Sequence, residues 1–281
     1  MARSLLAWLP FRSRRPTVAV LRLAGVIGPV APLRSGLSGH ELAPAIERAF
    51  GMRRAVAVAL VINSPGGSPV QSALIHARIR QLAEEHKLPV LAFVEDVAAS
   101  GGYWLALAAD EIFVDPSSIV GSIGVISSAF GFDRAIERLG VQRRLYTAGE
   151  RKSLLDSFLP ERPEDVARLK RLLADMHDNF KALVRARRGA RLKAPEDELF
   201  SGEFWLGQRA LELGLVDGIG EVRATLRARY GERVRLRPIA TQRRTWRRRL
   251  GLFGAPALSG DLASELIAGL EERQHWARFG L

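Results

Sequence analysis

Three stretches of this chain are apolar at almost every position: TVAVLRLAG (17–25), AVAVALVIN (55–63) and PVLAFVE (89–95). A strand with one face in water alternates apolar and polar residues, because successive side chains point to opposite faces. A run without that alternation needs cover on both faces, and these runs are short and rich in valine. Helical patterns stand between them. HELAPAIERAFG (40–51) ends on a glycine stop, and SPVQSALIHARIRQLAEEH (68–86) opens on a serine. Buried strands alternating with helices predict an α/β fold around a mainly parallel sheet.

The alternation continues. SGGYWLALAAD (100–110) reads as a helix, and EIFVD (111–115), GVIS (124–127) and RRLYTAG (143–149) as strands. A long charged amphipathic helix spans 162–188, and GQRALELGLVDGIGEV (207–222) reads as helix, glycine turn and helix. Near residue 241 the character shifts to TQRRTWRRRLGLFGAPALSGD, then to a last helix with Leu262, Leu266, Ile267 and Leu270 on one face. The division expected is a basic, apolar tail (1–15), one main domain (16–240), and an arginine-rich linker with an amphipathic C-terminal helix (241–281). No tandem repeat is present.

Composition excludes several chemistries. There is no cysteine, hence no thiol nucleophile, disulfide or cysteine-bound metal. No histidine pair has the spacing of a zinc-binding helix, so no metal is expected. The net charge is +12, and the Arg-rich run RRTWRRR could suggest nucleic acid. With Trp246 as its one aromatic residue it reads instead as a solvated charged segment. The N-terminal apolar stretch, Leu5–Phe11, is far short of the ~20 residues that span a bilayer, and no signal-peptide cleavage site precedes its arginines. The location expected is the cytoplasm, or the cytoplasmic membrane's surface through a peripheral basic contact.

Two strand ends could carry chemistry. Ser100 follows a buried strand and opens a helix, where unpaired N–H groups and a positive partial charge suit an oxyanion. Gly101 and Gly102 are costly in a helix and would make room for a substrate backbone. The other reading of Ser100 is an ordinary helix cap. INSPGGS (62–68) also ends a strand and opens a helix, and Gly66 and Gly67 there can turn amides outward. It lacks the Gly-Lys-Ser/Thr ending of a phosphate loop. A serine nucleophile needs a base. Of His40, His76, His86, His177 and His275 none stands at an obvious strand end; His76 and His86 lie on or at the end of a polar helix face and His177 on the long charged helix. Arginine cannot serve, since it does not deprotonate. The chain has five lysines, and Lys152 in TAGERKSLLDSF stands near Leu154, Leu155 and Phe158, which could exclude water. A surface loop lysine is the alternative.

Taken in order, INSPGGS, ASGGYWLALAADEIFVDPSSIVGSIGVI, YTAGERKS and SGEFWLGQRALELGLVDGIG resemble the signal peptide peptidase A/SohB family of serine peptidases, relatives of the Clp protease subunit. The resemblance runs from about residue 17 to 220. It implies a Clp protease/crotonase-like superhelix of strand–strand–helix units. It also implies a serine–lysine dyad without cofactor: Ser100 as nucleophile, Lys152 as general base, Gly67 and the Ser100 amide as oxyanion hole, and Ser122 orienting the lysine. Peptide substrates, cleaved signal peptides among them, and a homo-oligomer follow from the same resemblance. Rival readings are a catalytically inactive membrane scaffold of the same fold and a crotonase-type acyl-CoA enzyme.

Overall fold

The computed structural model describes residues 15–31, 34–149, 151–241, 269 and 273–281. The expected C-terminal helix with Leu262, Leu266, Ile267 and Leu270, the linker's arginine run and the N-terminal tail up to Arg14 lie outside the described residues. Strands are β1 (Thr17–Ala24), β2 (Pro29–Ala31), β3 (Arg34–Ser35), β4 (Ala55–Ser64), β5 (Val90–Ala99), β6 (Glu111–Val114), β7 (Ile119–Gly121), β8 (Phe204–Leu206), β9 (Gly218–Ile219) and β10 (Arg235–Ile239). Helices are α1 (Gly39–Phe50), α2 (Pro69–His86), α3 (Gly101–Ala106), α4 (Asp133–Arg138), α5 (Pro163–Arg188), α6 (Glu196–Leu199), α7 (Gly207–Glu212) and α8 (Val222–Tyr230).

The main sheet has the order β10-β1-β4-β5-β6-β9, all parallel. Both faces are covered, as the continuous apolar runs require. On one face Leu21, Leu23, Val58, Leu60, Ile62 and Ala92 pack under α1, α2 and α3. On the other, Val18, Ala57, Ala59, Leu91 and Phe93 pack under Leu226 of α8, and Phe93 stacks on Phe113 at 5.4 Å.

Strand β5 does two jobs. Residues Leu91–Val94 pair with β6, then the exposed Glu95 and Asp96 mark a departure from the main sheet. Val97–Ala99 pair instead with β7, and β7 pairs antiparallel with β8. The strand expected over 89–95 is therefore longer. The strands expected at GVIS and RRLYTAG are absent, and residues 125–132 and 141–149 are irregular and almost wholly exposed. Strand-like composition does not suffice where no neighbouring edge offers ladder partners.

Candidate active site

Ser100 occupies the tight turn from β5 into α3, with φ 51° and ψ −120°. A non-glycine residue held there costs about 1–3 kcal/mol and persists only where its surroundings impose the conformation. Two backbone bonds impose it: the Ser100 N–H donates to Gly121 O at 2.8 Å, and Trp104 N–H donates to Ser100 O at 3.0 Å. The Ser100 side chain makes no capping hydrogen bond. This removes the cap reading and leaves Oγ, on a half-buried residue, available for chemistry.

The end of β4 lies against this turn. A Cβ on Gly66 would stand 2.9 Å from Ala99 O, Gly101 N and Ser100 Cβ, and one on Gly101 would stand 3.3 Å from Gly67 N. The Gly67 and Gly101 amides thus sit side by side. Among the described residues neither N–H has a hydrogen-bond partner, because Ile27 engages the flanking groups, Gly66 O at 2.8 Å and Ser68 N at 2.8 Å. The expected oxyanion pair was Gly67 and the Ser100 amide. The Ser100 amide is spent on Gly121 O, and the second unengaged amide belongs to Gly101, the first residue of α3.

The structure also gives the glycines a further reason. The space beside Gly101 is filled by Ser72 Oγ (2.6 Å from a built Cβ) and that beside Gly102 by Ser64 O (2.4 Å). With the contacts of Gly66, these close approaches let β4, β5 and α3 meet backbone to backbone, which gives the three glycines a packing reason besides the expected room for a substrate backbone. The buried Ser64 and Ser72 tie the junction further: Gly66 N–H donates to Ser64 Oγ (3.2 Å), and Ser72 Oγ–H donates to Ser68 O (2.9 Å). Their small size and polarity among apolar neighbours were the sequence signals for this role.

The far end of α3 is held by arginines. Arg187 donates to Leu107 O and Ala109 O, each at 2.8 Å, Arg80 to Ala108 O at 3.2 Å, and Arg191 to Asp110 O at 3.3 Å. Cations there complement the carbonyl end of a helix. The fully buried Tyr103 donates its hydroxyl to Leu215 O at 2.7 Å, and burial raises its pKa. Trp104 stacks on Phe180 of α5 at 4.8 Å. The helix that Ser100 opens is fixed at both ends.

Ser122 is 6% exposed and also has φ 51°; its N–H donates to Glu203 O at 2.6 Å. Lys152 is exposed, in a turn where its N–H donates to Gly149 O at 3.2 Å. No hydrogen bond joins its Nζ to Ser100 or Ser122 among the described residues. The segment behind it is tied down: Arg143 pairs with Asp156 at 3.0 Å, and Phe132 stacks on Phe158 at 5.6 Å. The Phe158 N–H and Arg143 hold the Asp156 carboxyl below the usual carboxylate range. So the structure unites Ser100, Gly66, Gly67, Gly101 and Gly102, places Ser122 just past the Gly121 carbonyl, and leaves Lys152 on a separate exposed loop.

The histidines take no part in the turn. His177 Nε2 lies 3.0 Å from Ile123 O. Burial first, and Arg187 next, depress His76 to about 4. No group of three or more His, Cys, Asp or Glu side chains could hold a metal among the described residues.

Comparison with known proteins fits this architecture. Over 280 residues the chain is 49% identical to a Brucella abortus protein named Na(+)/H(+) antiporter NhaA, matching 96% of this chain but 38% of that protein. The chain therefore spans well under half of the length of such relatives. It is 33% identical to a putative protease of Synechocystis across 78% of this chain and 79% of that one. It is 30% identical to the chloroplastic serine protease SPPA of Arabidopsis thaliana across 73% of this chain and 31% of that one. A solved structure titled 1510-N membrane-bound stomatin-specific protease aligns with 80% of this chain, at 17% identity and a TM-score of 0.49. The α/β fold around a mainly parallel sheet, expected from the sequence, is the one the structure has. The profile of Peptidase family S49 matches residues 83–234, which run from the end of α2 through the Ser100 turn to the last turns before β10, and the chain belongs to that family.

Proposed function

We propose that the chain is a serine peptidase that cleaves peptide bonds with Ser100 and Lys152. The observation that carries this reading is the uncapped Ser100 hydroxyl, on a backbone held at positive φ, beside the two unengaged amides of Gly67 and Gly101. Neutral Lys152 Nζ takes the Ser100 Oγ proton as Oγ bonds to the scissile carbonyl carbon. The carbonyl oxygen becomes an oxyanion between the Gly67 and Gly101 N–H groups; each such donor is worth about 3 kcal/mol. The lysine ammonium returns its proton to the leaving amine as the C–N bond breaks. Water, deprotonated by Lys152, then hydrolyses the acyl-serine and frees Oγ. Ser122 orients Lys152.

Lysine works as a base only where water is excluded, because desolvation disfavours the ammonium. Lys152 is exposed in the single chain, so something else must cover it. The exposed segments that precede it in the chain carry Ile126 (67% exposed), Phe130 (72%) and Tyr146 (90%), a large apolar surface to leave in water. A homo-oligomer in which a second copy covers this segment, together with bound substrate, supplies the shield. Residues 16–240 form the peptidase unit, and its substrates are apolar peptides, signal-peptide remnants among them. No described helix is long and apolar enough to cross a membrane. The basic excess supports peripheral contact with an anionic membrane surface.

The test is cleavage of a fluorogenic peptide rich in apolar and small residues, with oligomer size measured on the same sample. We expect cleavage by an oligomer and loss of both cleavage and assembly in Phe130→Asp/Tyr146→Asp. Full cleavage by a monomer would refute the shielding step.

A further inference from the structure

The second half of β5 is the last piece of chain before Ser100, and its two faces are covered differently. Ala98 and, from β7, Val120 point into the main core. Val97 and Ala99 point the other way, with Ile119 of β7 beside them, and none of the main helices packs there. Their cover comes from the far end of the sequence. A helical turn at 273–277 and the residues after it lay Trp276 and Phe279 on Val97, Ala99 and Ile119. Phe279 is 8% exposed, and Val97 and Ala99 are fully buried beneath it. Phe204 of β8 meets the Phe279 ring edge-on at 5.2 Å, so the seat spans all three strands of the small sheet. The segment folds back on itself: Phe279 N–H donates to Trp276 O at 2.9 Å and Gly280 N–H to Ala277 O at 3.1 Å.

This seat lies on the joint that sets the Ser100 backbone. The pairs Val97↔Ile119, Ala98↔Val120 and Ala99↔Gly121 end at the bond from Ser100 N–H to Gly121 O. Three pairs make a short ladder, and a short ladder opens easily unless side chains pack across it. We infer that Phe279 is a positioning residue for Ser100: by covering the outer face of β5 and β7 it keeps their last pairs closed and the nucleophile at its strained φ. The catalytic part rests on the reading of Ser100 as nucleophile; the packing part does not.

The experiment is amide hydrogen exchange on the full chain carrying Phe279→Ala, read by mass spectrometry on peptides spanning 96–101 and 118–122. The expected result is exchange about tenfold faster or more in those peptides, with the β1–β4 ladder unchanged; about 1.4 kcal/mol of opening energy corresponds to that factor. Phe279→Leu, which keeps apolar bulk, restores protection. The rate of covalent capture of Ser100 by a fluorophosphonate falls with the lost protection in Phe279→Ala, while KM for a peptide substrate stays within twofold or so. Unchanged exchange at 96–101, or equal acceleration throughout β1–β4, overturns the inference. A parent chain that neither cleaves peptide nor captures fluorophosphonate refutes the peptidase reading, and the exchange result still decides the role of Phe279.

Discussion

Replacing Ser100 by glycine is expected to destroy activity and yet give a more stable protein than replacing it by alanine. The reasoning starts from φ 51° and ψ −120° at this residue. Alanine inherits the strain of an L-residue in that region, about 1–3 kcal/mol, whereas glycine enters it freely. Two terms oppose the gain. Glycine adds about 0.5–1 kcal/mol of unfolded-state entropy, and alanine's half-buried methyl contributes under about 0.8 kcal/mol. The balance favours Ser100→Gly over Ser100→Ala by about 1 kcal/mol, or about 2–4 °C in Tm for a domain of this size. Thermal unfolding followed by circular dichroism measures it, with both variants checked for absence of peptide cleavage. If Ser100→Gly melts at or below Ser100→Ala, the turn is not strained and the account of how the fold presents Oγ is wrong.

Further perturbations probe the surrounding frame. Arg187→Met removes two charge-assisted bonds to the last carbonyls around α3 and should cost about 2–4 kcal/mol in urea unfolding; a cost under about 0.5 kcal/mol would show that the arginines do not hold the helix. Tyr103→Phe leaves Leu215 O without its buried donor and should cost about 1–3 kcal/mol, seen as a lower urea midpoint at constant slope. His76 titrates at about 4 in the folded protein, against an ordinary value near 6.5. Its folded pKa is depressed, so the unfolded chain binds the proton first. Stability is full above about pH 6.5 and falls as pH drops toward 4, by up to about 3 kcal/mol. His76→Gln should flatten the stability curve in that window, and an unchanged slope would remove His76 as its cause.

The parts of the fold that burial dictates were legible in the sequence. β1, β4 and the first half of β5 stand where nearly unbroken apolar runs stand, because residues packed on both faces leave few polar positions. What followed Glu95 was not legible. Two consecutive charges read as a strand end, yet they mark the place where β5 exchanges β6 for β7 as its partner, with Glu95 paired to Arg22 and Asp96 to Asn63. β8 and β10 are short and largely exposed: the three apolar residues of β8 are too few to show a period, and β10 carries two arginines and a proline. At the site, strand-end position marked Ser100 and the Gly66–Gly67 turn as candidates, and the family resemblance gave them their expected roles. The engagement of the Ser100 amide with Gly121 O depends on β5–β7 pairing between residues 22 positions apart, and only the three-dimensional register assigns that bond. The seat of Phe279 was hidden for the same reason: a lone phenylalanine near the chain's end has no periodicity to read.

The most direct test of the central claim is covalent capture at Ser100. Purified protein is treated with a fluorophosphonate, intact mass reports the adduct, and peptide mapping locates it. The account predicts one adduct per chain, carried on Ser100, absent in Ser100→Ala and slowed by about a thousandfold or more in Lys152→Ala, as expected when a nucleophile loses its base. Capture on another residue, or capture at Ser100 at an undiminished rate in Lys152→Ala, would contradict it.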